Sequence, residues 1–257
     1  WIRGVSQEWE TTVQNLTNLD EASSVDYDLV SGAVTNDFDD VKSFFIEIEE
    51  DRSTMGFLGL DRMARIKRQL EAATQKAVER ELWSGDIRLN TVPPQPQKSL
   101  VNGPTVLDTN NAHAAGTALA ILEQGIAEMS HTGEPGVIHI TRDVASLLYA
   151  DGGIRFSESG NNGLTTVYGT PVVIGSGYPG SGPIGHAHAA ASVSNKWMFA
   201  TGTVKVFLGD VDVVNDSLSQ AYDVAGNQND MRLKATRPAA VYFDTSIHLA
   251  VRVNLAA

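Results

Sequence analysis

Three glycines are spaced as chemistry would require. Gly175, Gly177 and Gly180 frame a formal G-x-G-x-x-G, with Tyr178 inside it, directly after the apolar run Val172-Val173-Ile174. Such a loop binds the pyrophosphate of a dinucleotide when it opens a helix, because the free N–H groups of the first turn receive the phosphate oxygens. Here Pro179, Gly182, Pro183 and Gly185 prevent a helix from starting, and no acid follows before Asp210 to hold a ribose. The segment therefore reads as an exposed glycine loop joining two strands, with no cofactor. A soluble dinucleotide-binding oxidoreductase is the weaker alternative.

His186 and His188 stand two residues apart, a spacing that on a strand points both imidazoles to one side and makes a metal conceivable. No carboxylate lies within ten residues of the pair and the chain has no cysteine, so two ordinary histidines are expected and no metal. His113, His131, His139 and His248 sit singly and read as packed or surface residues. The chain contains neither a G-x-S-x-G nucleophile elbow nor a G-x-x-x-x-G-K-[ST] phosphate loop. The acids of Asp37 to Asp40 and Glu47 to Asp51 form charge runs rather than a paired acid and base. No catalytic residue can be nominated, and the chain does not read as an enzyme.

The elements that would carry these residues are clearer than the chemistry. Met63, Ile66, Leu70, Ala73 and Ala77 recur at steps of three and four, which predicts an amphipathic helix from Asp61 to Ser84, capped by Asp61 and stopped by Gly85. A second helix is predicted from Ala112 to about Ser130, with Ala115, Leu119, Leu122, Ile126 and Met129 on one face. The strand Val137–Ile140 follows, and Thr141 is expected to cap a short helix through Leu148 that Gly152-Gly153 ends. Strands are read at 44–49, 164–174, 197–201, 204–208, within 239–243 and within 247–253, which makes the class α+β. The proline-rich run VPPQPQKSLVNG (92–103) is the best candidate for a domain boundary.

Charge is uneven along the 257 residues. Residues 1–60 hold 13 acids and 3 bases, whereas the helix 61–84 holds 6 bases and 4 acids, within a chain of net charge −12. Residues 1–40 have scattered apolar positions and no sustained period, so they read as an arm that orders against something else. An acidic arm and a mildly basic helix suit each other, within one molecule or between copies. A sequence-specific nucleic-acid reader would need a basic domain with interleaved aromatics, which an isoelectric point near 4.8 disfavours. No run approaches 18 consecutive apolar residues, so no membrane-spanning helix is expected.

The order of segments resembles the major capsid proteins of tailed bacteriophages with the Hong Kong 97 fold, particularly those of phages infecting actinobacteria. The resemblance is carried by FFIEIEEDRSTMGF (44–57), DRMARIKRQLEAATQKAVERELWSG (61–85), YGTPVVIGSGYPGSGP (168–183), KWMFATGTVKVFLGDV (196–211) and RPAAVYFDTSIHLAVRVNL (237–255). It implies an N-terminal arm and extended loop in 1–55 and a peripheral domain with a spine helix in 56–103. An axial domain would occupy 104–222, and the closing strands of the peripheral domain 223–257. The loop of Gly175, Gly177, Tyr178, Gly180 and Gly182 would approach the capsomer axes. Arg62, Arg65, Arg68 and Arg80 would meet acids of adjacent copies, among them Glu47, Glu49, Glu50 and Asp51.

The implied function is a structural shell of hexamers and pentamers around double-stranded DNA, touched only non-specifically, in a virion assembled in the host cytoplasm. Scaffold, portal and decoration proteins are the implied partners. An encapsulin-type nanocompartment shell is the alternative of the same fold. Some relatives cross-link a loop lysine to an asparagine; Lys42, Asn227 and Asn229 are the residues available here, and nothing in the sequence puts a catalytic acid beside them.

Overall fold

The computed structural model describes residues 43–53, 62–89, 98–130, 136–156, 163–215 and 230–256. The arm 1–40, the cap Asp61, the prolines of 92–97 and the residues Lys42, Asn227 and Asn229 lie outside these. The chain divides into two compact units, and the divisions fall after Ala77, Lys205 and Ala240.

The larger unit comprises Val78–Lys205 with Val241–Ala257. Its centre is a seven-stranded mixed sheet in the order β2-β11-β7-β3-β6-β5-β4, built from β2 (Thr105–Val106), β3 (Val137–Ile140), β4 (Ile154–Phe156), β5 (Leu164–Thr166), β6 (Pro171–Ile174), β7 (Asn195–Thr201) and β11 (His248–Asn254). β3 runs parallel to β6 and antiparallel to β7, and β11 pairs antiparallel with β7 along seven residues. Helix α3 (Ala115–Met129) packs on β11 and β7, and α4 (Arg142–Ala150) packs on α3 and β4. The strand period of two then sorts the side chains. Ile138, Ile140, Met198, Ala200, Leu249, Val251 and Val253 join the core made with Ala118, Leu119, Leu122 and Ile126 of α3 and Val144 and Leu148 of α4. Their neighbours His139, Trp197, Phe199 and Thr201 point to the other face and are buried there as well.

Helix ends are settled locally. Gly152 has φ +70, its N–H donates to the Tyr149 carbonyl, and the Gly153 N–H donates to the Leu148 carbonyl, a Schellman motif that stops α4 as the glycine pair predicted. Thr141 holds the N-cap position of α4 in extended backbone, but its hydroxyl donates to the Asp143 carboxylate instead of capping an amide. α3 begins at Ala115 rather than Ala112, because the Asn254 N–H donates to the His113 carbonyl and the His113 N–H donates to the Arg252 carbonyl, holding this run extended beside β11.

The smaller unit ends its first segment at Ala77 and adds Val206–Ala240. It contains most of a four-stranded sheet of β1 (Phe44–Ser53), β8 (Val204–Leu208), β9 (Asp212–Asn215) and β10 (Asp230–Phe243), in which β10 is flanked by β1 and β8 and also pairs β9. β1 pairs antiparallel with β10 in one unbroken register, from Phe44 opposite Ala239 to Ser53 opposite Asp230. Phe44 and Ile46 face inward and Phe45, Glu47 and Glu49 outward, the alternation read from the sequence. Two expectations change here. The acidic run 47–51 continues as strand, and β10 starts at Asp230 instead of near Ala239. Its polar residues pair on the ladder, with Glu49 opposite Lys234.

The long helix α1 runs Arg62–Ser84, 23 residues, and Gly85 at φ +69 ends it. Its buried positions match the predicted stripe only at Ile66 and Leu70: Met63 is 48% exposed, Thr74 is buried before the division, and Val78, Glu79, Glu81, Leu82 and Trp83 are buried after it. Thr74 takes a core position because its hydroxyl donates to the Leu70 carbonyl at 2.8 Å, leaving no polar atom unmatched.

Candidate functional site

The sequence-predicted glycine loop joins two strands as expected and is the best-built polar site of the larger unit, but it is exposed only in part, at Ser176, Pro179, Ile184 and Gly185. Between β6 and β7, Gly175, Tyr178, Gly180, Gly182 and Pro183 are buried. The reason is a set of large side chains that close on the glycines. A Cβ at Gly175 would lie 2.4 Å from the Tyr178 ring, and one at Gly182 would lie 2.3 Å from the Trp197 indole. Gly180 also needs its left-handed φ of +77, a region costly for L side chains. Two of the three glycines spaced for a dinucleotide, Gly175 and Gly180, are thus held by close packing and backbone conformation.

Helix α1 supplies the anchors. Residues four apart share a helix face, so Glu79 and Trp83 point the same way. Glu79 Oε2 accepts the Gly177 N–H at 2.7 Å and the Ser176 hydroxyl at 3.1 Å. The Trp83 indole N–H donates to the Ser181 carbonyl at 3.0 Å, and its ring lies 4.8 Å from the Tyr178 ring and 4.9 Å, edge to face, from Phe199. Trp197 of β7 repeats the device, its indole N–H donating to the His188 carbonyl at 3.0 Å. Past Gly85 the chain returns: the Leu100 and Val101 N–H groups donate to the Leu82 and Trp83 carbonyls, and the Val101 carbonyl accepts the Ile184 N–H. The last carbonyls of a helix, which have no partner inside it, are satisfied this way.

His139 lies beneath the loop. Its Nε2 is 2.9 Å from the Thr201 hydroxyl and its Nδ1 is 3.0 Å from the Tyr178 hydroxyl. Because Thr201 donates its own proton to the Gly202 carbonyl, it accepts from His139 Nε2–H, and Nδ1 is left to accept from Tyr178. Burial, with His248 nearby adding like charge, pushes the His139 pKa down to about 3, so the ring is neutral. Burial first, and the charge of Glu79 second, raise that of Tyr178. A neutral relay sealed from solvent holds a shape; it presents no reactive atom to a substrate.

The other predicted residues are placed as follows. Arg80 pairs with Asp86 of the same chain at 3.0 Å, where α2 (Asp86–Leu89) begins. Arg65 and Arg68 are exposed on α1, and Arg68 Nε donates to the Ala64 carbonyl. Glu47 and Glu49 both reach Lys234, at 3.0 and 3.8 Å. The side chains of Arg62, Glu50 and Asp51 lie outside the described residues. His186 and His188 sit in a loop, as expected of two ordinary histidines, with rings 6.0 Å apart and the His188 N–H donating to His186 Nδ1. Among the described residues no three His, Asp or Glu are grouped to hold a metal, and no helix is long and apolar enough to cross a membrane. Sequence reasoning missed Glu79, Trp83, His139 and Trp197. The signal available was a buried-type tryptophan and an acid at i, i+4 on a helix followed by a charge-free glycine loop.

No protein-family model and no curated protein sequence matches the chain. Solved structures do match. The capsid of Myoviridae phage XM1 aligns at 9% identity over 83% of this chain and 74% of that one, with a TM-score of 0.53. A Gordonia phage Cozz chain aligns at 10% identity over 88% and 76%, with a TM-score of 0.50. The capsid of an empty GTA particle aligns at 14% identity over 83% and 74%, also at 0.50. The long helix, the two sheets and the loop packed between β6 and β7 thus constitute an α+β fold of the Hong Kong 97 capsid type.

Proposed function

We propose that the chain is a shell-forming structural subunit, the major capsid protein of a tailed bacteriophage, whose hexamers and pentamers enclose double-stranded DNA. The observation that carries this reading is the fold shared with the XM1 capsid across 83% of the chain. The packed part of the loop supports it: Tyr178, Trp83 and Trp197 make it rigid, the property that a subunit repeated many times requires so that individually modest contacts add up. In this reading 1–55 is arm and extended loop, 56–103 and 223–257 form the peripheral domain, and 104–222 forms the axial domain. Arg65 and Arg68, exposed on α1, are the basic residues best placed to meet acids of adjacent copies. The sequence resemblance supports capsid proteins of phages infecting actinobacteria as relatives.

The test is direct. The purified chain, with any scaffold supplied, is examined by negative-stain microscopy and light scattering. Capsomers or closed shells are expected, and shells recovered from infected cells should contain DNA. A chain that stays monomeric at every concentration and salt tried would sink the proposal, and shells filled with a single enzyme would replace it with a nanocompartment.

A further inference from the structure

We infer that Asn102 is a site of self-modification, at which the backbone nitrogen of Gly103 closes on the Asn102 side chain and converts it to aspartate and isoaspartate with release of ammonia. The bond that forms joins Gly103 N to Asn102 Cγ, and the Gly103 N–H proton goes to hydroxide. The bond that breaks is Cγ–Nδ2, whose nitrogen takes a proton from water and leaves as ammonia. Water then opens the succinimide ring at either carbonyl. Asparagine plus water thus gives an acid plus ammonia, with nothing oxidised or reduced.

Sequence supplies the reacting pair. Asn102 is followed by glycine, whose nitrogen has no neighbouring Cβ to hinder its approach and whose backbone turns freely. The fold leaves this pair open just where its hold on the chain stops. Leu100 and Val101 N–H are tied to the end of α1, and Asn102 N–H donates to the Ser99 carbonyl at 2.9 Å. Beyond that point the Gly103 N–H and the Asn102 side-chain amide have no hydrogen-bond partner among the described residues. Both residues are exposed, and even a Cβ on Gly103 would meet nothing within 4 Å. The other residues that could react this way are held. The Gly152 N–H that follows Asp151 donates to the Tyr149 carbonyl, and the side-chain amides of Asn111, Asn195 and Asn254 are each in a hydrogen bond. A second Asn-Gly pair, Asn162-Gly163, begins outside the described residues.

The surroundings favour the anionic nitrogen that must attack. Asn102 and Gly103 line an open cleft of about 280 Å³, in which Lys98 is the one Lys, Arg, Asp or Glu among the described lining residues. A nearby ammonium stabilises developing negative charge, and no lining carboxylate opposes it. The open cleft also admits the hydroxide and water that the two steps consume. The product places a new carboxylate in the cleft with Lys98, and its isoaspartate form routes the backbone through the former side chain, adding a methylene between the pinned turn and β2. The partner this chemistry suits is the class of enzyme that methylates isoaspartyl carboxylates.

Incubation of the soluble full-length chain in heavy-oxygen water at mildly alkaline pH, both folded and in urea, followed by peptide mapping with mass spectrometry, tests this. Peptides containing Asn102 are expected to gain heavy oxygen in the folded chain at a rate within about threefold of the unfolded one, because the fold adds little to that barrier. Asp151-Gly152 is expected to react at least about tenfold more slowly folded than unfolded, since its amide must first leave the Tyr149 carbonyl. Asn102→Gln, whose longer side chain would need a larger and slower-forming ring, is expected to fold with unchanged circular dichroism and to gain no label at that position. An Asn102 that stays intact in the folded chain while it converts in urea would overturn the inference. So would label spread equally over Asn102, Asn111, Asn195 and Asn254 in the folded chain, or label at position 102 of Asn102→Gln.

Discussion

The indole of Trp83, in the last turn of α1, donates its N–H to the carbonyl of Ser181, 98 residues later in the chain, at 3.0 Å. One side chain thereby ties a helix end to the middle of a glycine loop while its ring fills the space between Tyr178 and Phe199. The two roles are separable. Trp83→Phe keeps most of the ring and loses the N–H, and is expected to cost about 1 kcal/mol. Trp83→Ala removes both and is expected to cost about 3–5 kcal/mol. Urea unfolding gives the values, and amide exchange of Ile184 should quicken in both variants. Equal losses for the two variants would show that the hydrogen bond and not the packing dominates.

Acid should weaken the larger unit through His139. Its folded pKa of about 3 lies below the 6.5 of an unfolded chain. The unfolded state therefore takes up the proton first as pH falls, and the stabilisation present above pH 6.5 is lost progressively down to about 3. The slope in that window is about 1.4 kcal/mol per pH unit, or roughly 2 kcal/mol between pH 6.5 and 5. His248, whose pKa burial also lowers, adds loss of the same sign. Unfolding at pH 7.5 and pH 5 measures the slope, and His139→Gln should flatten it. An unchanged slope in that variant would assign the acid sensitivity elsewhere.

Two carboxylates separate buried from surface electrostatics. Glu79 is 3% exposed and receives Gly177 N–H and the Ser176 hydroxyl, so Glu79→Ala leaves a partly buried amide unmatched and is expected to cost about 1–3 kcal/mol. Glu47 meets Lys234 where both side chains are more than a third open to solvent, and Glu47→Gln is expected to change stability by less than about 1 kcal/mol. Thermal melts of the two variants, at low and high salt, should show this contrast, with salt affecting only the second.

Glycine positions offer a test with no chemistry removed. Gly182→Ala forces a methyl to 2.3 Å from the Trp197 indole and should destabilise by about 1–3 kcal/mol through overpacking, with a shift in tryptophan fluorescence. Gly85→Ala meets nothing closer than 3.6 Å, so its cost, about 1–2 kcal/mol, comes from the left-handed backbone alone and should leave the fluorescence unchanged. Identical fluorescence in both variants would contradict the packing described for the loop.

Local rules made much of the fold legible. Val137–Ile140, Val204–Leu208 and the end of α4 stand where apolar runs and the Gly152-Gly153 pair put them, because each depends on neighbours in sequence. The face of α1 was not legible in the same way. Thr74 is buried because its hydroxyl satisfies itself on the preceding turn, whereas Met63 is half exposed, and periodicity alone shows neither. The glycine loop was misread for a related reason. Composition shows that glycine permits flexibility, but only the fold shows Tyr178 and Trp197 occupying the space left by the missing side chains. Likewise His139 looked like a solitary histidine until Tyr178 and Thr201, 39 and 62 residues away, came beside it.

The register of β1 on β10 also decides how the smaller unit's sheet bears a pull. Phe44 lies opposite Ala239 and Ser53 opposite Asp230, so the chain enters the two strands at opposite ends of a ten-residue ribbon. Antiparallel ladder bonds run perpendicular to the strands. Tension drawn through the residues before Phe44 against those before Asp230 therefore loads the whole ladder in shear, all pairs at once. Tension between Ser53 and Asp230 would peel the same bonds one by one. The ribbon is strong along one route and weak along the other.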